Sequence, residues 1–200
     1  MSKGFLLVIS GPSGCGKGTI CKKILERNEK LVFSVSATTR APRRGEIDGV
    51  NYFFIDEEKF SKMVENDEFL EYANVHGNLY GTPKNFVLEQ IERGEIVILE
   101  IDVQGALQVK ESYPEGVFIF LLPPSMSELK NRIKKRGTET DKDIDIRLKN
   151  AFEELKFIDE YDYIVINDEV MEAVEKTETI IGAEKLKVKR LKNIIEKIID

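Results

Sequence analysis

Seven residues near the N-terminus, Gly11-Pro12-Ser13-Gly14-Cys15-Gly16-Lys17, have the types and spacing needed to hold a phosphate group. Glycines allow successive backbone N–H groups to turn inward on one anion. Lys17 adds a full positive charge, and a helix starting behind it adds the partial charge of its N-terminus. The apolar run Leu6-Leu7-Val8-Ile9 leads in as a buried parallel strand would, and residues from Ile20 to Glu26 carry a helical pattern. Strand, Gly-x-x-x-x-Gly-Lys and helix in that order make a phosphate-binding loop. One position departs from the usual pattern. The residue after the lysine is Gly18 rather than a serine or threonine that could bind magnesium, and Thr19 follows it. The phosphate cradle survives this change, whereas metal binding is expected to run through water.

Arginines form two further groups. Arg40, Arg43 and Arg44 stand close together, and Arg132, Arg136 and Arg147 fall in a charge-rich stretch. Guanidinium forks match phosphate oxygens, and phosphoryl transfer needs charge matched over several oxygens. Arg132 and Arg136, four apart, leave the same face of a helix. Two readings are open for them: phosphate contacts, or solvated ion pairs with Glu128 and Asp141.

The 200 residues suit one domain with a substantial core. A net charge of −6 argues against a general nucleic-acid binder, so any anion site must be local. No apolar run approaches the roughly 18 residues that span a bilayer, and no secretory signal is visible. Cys15 and Cys21 are the only cysteines. Bridging them would distort the loop, so free thiols in a reducing, cytoplasmic compartment are expected. Cys15 is either a passive small residue or a thiol open to reagents. The single histidine, His76, reads as part of an exposed turn and offers no metal cluster.

Strand and helix signals alternate, which indicates an α/β fold with a parallel sheet core flanked by helices. Strands are expected over 5–10, 31–36, 95–101, 117–122 and 163–167. Helices are expected over 20–27, 83–93, 127–136, 143–157, 169–181 and 183–199. Thr82 before Pro83 suits a helix cap, and Ser125 with Glu128 suits a capping box. Two stretches interrupt the alternation. Residues 36–81 hold an aromatic strand at 51–55 and another at 69–75, as a small inserted lobe would. Residues 126–157 form a charged helical pair with few apolar anchors, expected to move as a lid. The last helix carries Leu186, Leu191, Ile194, Ile195 and Ile198, and is expected to dock on the body or to serve a dimer.

Taken together, these stretches resemble the guanylate kinases, nucleoside monophosphate kinases with a phosphate-binding loop. The resemblance runs from about residue 4 to 184. It rests on Gly11 to Thr19, Ser36 to Glu46, Gly49 to Phe54, Phe69 to Ala73, Tyr80-Gly81-Thr82, Glu100 to Gly105, Arg132 to Gly137 and Ile166-Asn167-Asp168. It implies transfer of the terminal phosphoryl group of ATP to GMP, and to dGMP, with Mg2+. It further implies a core (1–34, 86–125 and 158–200), a mixed α/β GMP-binding lobe (35–85) and a helical lid (126–157).

The resemblance also implies roles. Gly11, Pro12, Ser13, Gly14, Cys15, Gly16, Lys17, Gly18, Thr19 and Asn167 would hold ATP. Arg40, Arg43, Tyr52 and Tyr80 would serve the GMP phosphate, and Glu46 would join the GMP site. Ser36, Glu71, Thr82 and Asp102 would serve guanine, whose ring N–H and amine are donors that carboxylates accept. Arg132, Arg136 and Arg147 would close with the lid and, with Lys17 and Arg40, carry catalysis. Glu100 and Asp102 are candidates for indirect metal contact, and for Asp102 guanine and metal-bound water both remain open. The expected partners are ATP and GMP, with neither nucleic acid nor membrane, in a monomer or homodimer. Two other classes share parts of this pattern. An adenylate kinase would not need the carboxylate pair, and a phosphopeptide-binding relative would lack Lys17 and the lid arginines.

Overall fold

The computed structural model describes residues 3–75, 77–135 and 141–191, with the backbone alone at 141 and 142. His76, Arg136 and the end of the chain from 192 lie outside the described residues. The core is a five-stranded parallel sheet in the order β2-β7-β1-β8-β9. Its strands are β1 (Phe5–Ser10), β2 (Leu31–Phe33), β7 (Ile96–Glu100), β8 (Val117–Leu122) and β9 (Tyr163–Ile166). The parallel α/β core expected from sequence is therefore present.

Alternation along β1, every residue of which is buried, explains how one strand serves two cores. Phe5, Leu7 and Ile9 face α1 (Lys17–Arg27) and α7 (Val170–Lys185), meeting Ile20, Ile24, Val174 and Ile181. Leu6 and Val8 face α3 (Lys84–Glu92) and α4 (Val103–Ser112), meeting Val87, Ile91, Ala106 and Val109. A strand covered on both faces must read as an unbroken apolar run, and this one does.

A second sheet, ordered β4-β3-β6-β5, lies between β2 and α3 in the chain. It comprises β3 (Ala37–Thr38), β4 (Phe53–Phe54), β5 (Phe69–Val75) and β6 (Asn78–Pro83), with α2 (Glu57–Glu65) packed through Phe60 onto Phe69. The Phe60 and Phe69 rings stack at 4.5 Å, giving this sheet its own small core. A third cluster joins α5 (Met126–Lys135) to α6 (Asp141–Glu154) through Leu129, Ile133, Ile144 and Ala151. That pair is better anchored than its composition suggests. A 3-10 segment, Leu155–Glu160, then leads to β9.

Several expected boundaries shift. β2 stops at Phe33 rather than at 36. Helix α1 begins at Lys17, directly after Gly16 in the left-handed region. Helix α3 begins at Lys84, and Thr82 does not cap it, because its hydroxyl is engaged elsewhere. Ser125 caps Glu128 N at 3.1 Å, but Glu128 turns to Arg132 instead of closing the box. Helices α2 and α4 were not expected. Residues 170–185 form one helix where a break near 182 was expected, and Leu186 beyond it is 72% exposed. Among the described residues no helix is long and apolar enough to cross a membrane.

Candidate active site

The phosphate loop is tied to its surroundings at both ends. Gly11 has φ 139°, and a Cβ there would lie 2.2 Å from the Leu121 carbonyl oxygen, so no side chain fits where β1 leaves the sheet. Gly16 has φ 99°, and a Cβ there would lie 2.3 Å from Asn167 Nδ2. The same amide nitrogen donates to the Cys15 carbonyl at 2.8 Å, buried between the loop and the end of β9. Asn167 thus acts on the loop's backbone shape. Cys15 is fully buried, and burial pushes its thiol up against the opposing pull of Lys17. It is therefore the passive residue of the two readings, and both cysteines are free.

Lys17 Nζ donates to the carbonyls of Gly11 at 2.5 Å and Pro12 at 3.3 Å, folded over its own loop. A cleft of about 440 Å³ opens beside it, lined by Ser13, Gly14, Gly16, Lys17, Gly18, Thr19 and Glu100. Glu100 ends β7, and its carboxylate lies 3.4–3.5 Å from where a Gly18 Cβ would stand. Burial raises its carboxyl above the usual range while Lys17 draws it back. Among the described residues no group of three metal-ligating side chains occurs. One carboxylate beside a phosphate cradle suits magnesium, which keeps several waters and takes few protein ligands.

The carboxylates at the expected base pocket converge. Gly105, in the first turn of α4, would carry a Cβ 3.4 Å from Glu71 Oε2 and 3.5 Å from Asp102 Oδ1. Asp102 Oδ1 also accepts from Gly105 N at 2.8 Å, capping α4. Glu71 is buried in β5, and its Oε1 accepts from the Thr82 hydroxyl at 2.6 Å across the β5–β6 pair. Burial raises the Glu71 carboxyl, the Thr82 bond opposes that shift, and the charge of Asp102 adds to it. Ser36 stands just before β3 and accepts from Phe53 N through its carbonyl at 2.9 Å.

A third group surrounds Arg40. Its Nη2 forks onto Glu46 at 2.8 and 3.0 Å, and Nη1 donates to the Ala41 carbonyl. The guanidinium lies 5.5 Å from the Tyr52 ring centroid, and Tyr52 meets Tyr80 edge-on at 6.0 Å. Glu46 also accepts from Arg43 N at 2.7 Å. Both Glu46 oxygens therefore hold this arginine loop in place and do not point to a ligand. The Arg43 side chain is exposed.

The two described arginines of the helical pair differ. Arg147 Nη1 donates to Ser13 Oγ at 3.4 Å, over the phosphate loop. Arg132 pairs with Glu128 at 2.9 Å, as the ion-pair reading expected, and also donates to the carbonyls of Asn167 and Asp168. Arg136 is outside the described residues. One contributor had no role in the sequence reading: Gly105 was visible only as part of the stretch from Glu100 to Gly105.

Comparison with known proteins agrees with this geometry. A family model described as guanylate kinase matches residues 3–184. The chain is 60% identical over 196 residues to a guanylate kinase of Caldanaerobacter subterraneus subsp. tengcongensis, covering 98% of this chain and 95% of the relative. It is 58% identical over 195 residues to a guanylate kinase of Clostridioides difficile, with the same coverage. The crystal structure of guanylate kinase from Anaplasma phagocytophilum superposes with a TM-score of 0.73 at 37% identity, covering 98% of this chain and 95% of that one.

Proposed function

The chain belongs to the guanylate kinase family, and on that premise we propose that it transfers the terminal phosphoryl group of ATP to GMP, and to dGMP, giving ADP and the nucleoside diphosphate. The observation that carries the base assignment is the convergence of Glu71 and Asp102 at Gly105. Two acceptor-only groups suit guanine, which presents two donors on one edge. Adenine would set a lone pair against a buried carboxylate. Thr82 orients Glu71, and Ser36 lies at the edge of the same lobe.

In this reading the loop N–H groups and Lys17 hold the ATP phosphates, with Asn167 fixing the loop from behind. Arg40 and Arg43, with the Tyr52 and Tyr80 hydroxyls, take the GMP phosphate, and Glu46 aims Arg40. An oxygen of that phosphate attacks the terminal phosphorus of ATP while the bond to the ADP oxygen breaks. The attacking oxygen is already ionised, so no general base is required. Arg132, Arg136 and Arg147 match the charge spread over the transferring group and exclude water as residues 126–157 close. To do so Arg132 must leave Glu128. Mg2+, when bound, would neutralise charge on the phosphates, and Glu100, with Asp102 two residues further along the chain, would hold its waters. Both thiols are free and buried, which suits the cytoplasm, and one chain supplies every group named.

A coupled assay of ADP release with ATP and magnesium, offering GMP, dGMP, AMP, CMP and UMP, tests the proposal. Turnover confined to the guanine nucleotides is expected. Turnover of AMP at a comparable rate would overturn the base assignment, and binding of GMP with no turnover would overturn the enzymatic reading.

A further inference from the structure

Glu71 stands in an irregular stretch of its strand. Phe69 pairs with Pro83 and Tyr72 with Gly81, so the register shifts by one residue, and Leu70 and Glu71 together oppose Thr82. A bulge of this kind bends a strand and re-aims a side chain, and here it sets Glu71 against the Thr82 hydroxyl. The partner strand comes close at this point. A Cβ on Gly81 would lie 2.8 Å from the Phe69 ring and 3.1 Å from the Glu71 carbonyl oxygen. The bulge disrupts the ladder locally, and β5 is also an edge strand of its sheet. No strand of that sheet therefore holds the outer side of the Glu71 segment.

Helix α4 holds it instead. Gln108 Oε1 accepts from Tyr72 N at 3.1 Å, and the Ser112 hydroxyl donates to the Leu70 carbonyl at 2.8 Å. These two backbone groups flank Glu71 on either side. Gln108 and Ser112, four apart, lie one above the other on a single helix face. Ser112 also approaches the Val109 carbonyl at 3.3 Å, the longer of its two contacts. Beside them Ala106 and Val109 pack with Leu70, Leu6 and Val8, which seats the helix on the parallel sheet. At the other end of α4 the cap is Asp102, whose Oδ1 accepts from Gly105 N. One helix thus carries one pocket carboxylate at its start and grips the strand of the other further along.

We propose that Gln108 and Ser112 are positioning residues of the base pocket, which fix the spacing of Glu71 from Asp102 by clamping the bulged edge of β5 to α4. Both act on main-chain groups of β5. The inference rests on the GMP reading above, because spacing matters only to a base that offers two donors. Inosine monophosphate keeps the ring N–H and lacks the amine. With one donor it can follow whichever carboxylate accepts it, so a change in spacing costs it little.

The test measures kcat and KM for GMP and for inosine monophosphate, with ATP and magnesium. It compares wild type with Gln108→Ala, Ser112→Ala, the double alanine variant, and the conservative Gln108→Glu and Ser112→Thr. Glu111→Gln, exposed on the same helix, is the control. In the double variant KM for GMP should rise about tenfold, while kcat and KM for ATP stay within about twofold. Its kcat/KM for inosine monophosphate should change less than about threefold, so the preference for GMP shrinks. Each single alanine variant should raise KM for GMP about threefold. Gln108→Glu keeps an acceptor and Ser112→Thr keeps the hydroxyl, so both should stay close to wild type, as should Glu111→Gln. A wild-type preference for GMP in the double variant would overturn the proposal. Equal losses for the two nucleotides would also overturn it, as would losses that the conservative variants share. A wild-type enzyme that uses GMP no better than AMP would overturn the base assignment, and this inference with it. That failure shows in the wild type, whereas failure of the clamp alone shows only in the variants.

Discussion

Thr82 Oγ1 donates a buried 2.6 Å hydrogen bond to Glu71 Oε1, while Oε2 of the same carboxylate turns toward Gly105 and Asp102. One oxygen is thereby fixed by the protein, and the other is aimed into the proposed base pocket. Strand β6 thus decides the direction of a carboxylate on β5, and a helix cap on α4 supplies the second one.

Replacing Glu71 with Gln keeps the shape but offers an N–H where guanine needs an acceptor. Glu71→Gln should lower kcat/KM for GMP by about 10²–10³-fold, or roughly 3–4 kcal/mol, because a buried donor of the base is left unpaired. Its kcat/KM for AMP should change less than threefold. Competition assays with both nucleotides measure the lost discrimination.

Glu71 can accept from guanine only while ionised. Burial chiefly holds its folded carboxyl above the ordinary value of 4.5. GMP affinity should therefore be full at neutral pH and fall on acidification, starting at a higher pH than an ordinary glutamate would set. Thr82→Val removes a donor that favours the ionised form, so the acidic limb of kcat/KM should move further up in pH. KM for GMP at pH 7.5 should rise about tenfold, or ~1.4 kcal/mol. Glu71→Gln should abolish the limb, and a profile that kept it would assign the titration elsewhere.

Gly16 and Asn167 should be coupled. A Cβ on residue 16 meets Asn167 Nδ2 at 2.3 Å and also strains a φ of 99°, so Gly16→Ala should cost about 2–3 kcal/mol in stability. Asn167→Ala loses the bond to Cys15 O, about 1–2 kcal/mol, but removes the clashing atom. The double variant should be more stable than the sum of the two losses predicts, by about 1 kcal/mol. Urea titrations of all four proteins give the coupling, and strict additivity would contradict the contact.

Glu184 supplies a prediction away from the site. It is fully buried in α7 and accepts from Tyr163, Lys187 and Arg190, the last of which lies 4.1 Å over the Phe5 ring. Burial alone would raise its carboxyl, but the three donors together hold it below the ordinary 4.5. A depressed carboxylate contributes stability above its unfolded pKa and loses it as pH falls through the folded one. Glu184→Gln should therefore destabilise by about 2–3 kcal/mol at neutral pH. The gap from wild type should close below pH 4, as melting curves across pH would show.

Much of the frame was legible because its residues act locally. β1 and β8 are unbroken apolar runs, and the Gly11–Lys17 spacing encodes its own backbone. Helix α4 was hidden because Asp102 has two uses: its carboxylate drew attention as a ligand, while the same atom caps the helix that begins at Val103. Thr82 misled in the opposite sense. A hydroxyl before proline fits a cap, but cross-strand pairing with Glu71 won. The convergence at Gly105 joins residues on separate elements, and nothing local in either stretch points to the other. Of the apolar residues that suggested a docked last helix, Leu186 is exposed once α7 ends at Lys185 and Leu191 is half-buried, while 194, 195 and 198 lie outside the described residues.

The resting position of Lys17 bears on turnover. Its ammonium is already satisfied by the carbonyls of Gly11 and Pro12, so an arriving triphosphate replaces existing bonds and does not fill an unmet need. Binding is an exchange of partners, two neutral carbonyls for anionic phosphate oxygens, and the reverse exchange awaits the departing diphosphate. A lysine that can turn back to its own loop has acceptors waiting each time ADP leaves.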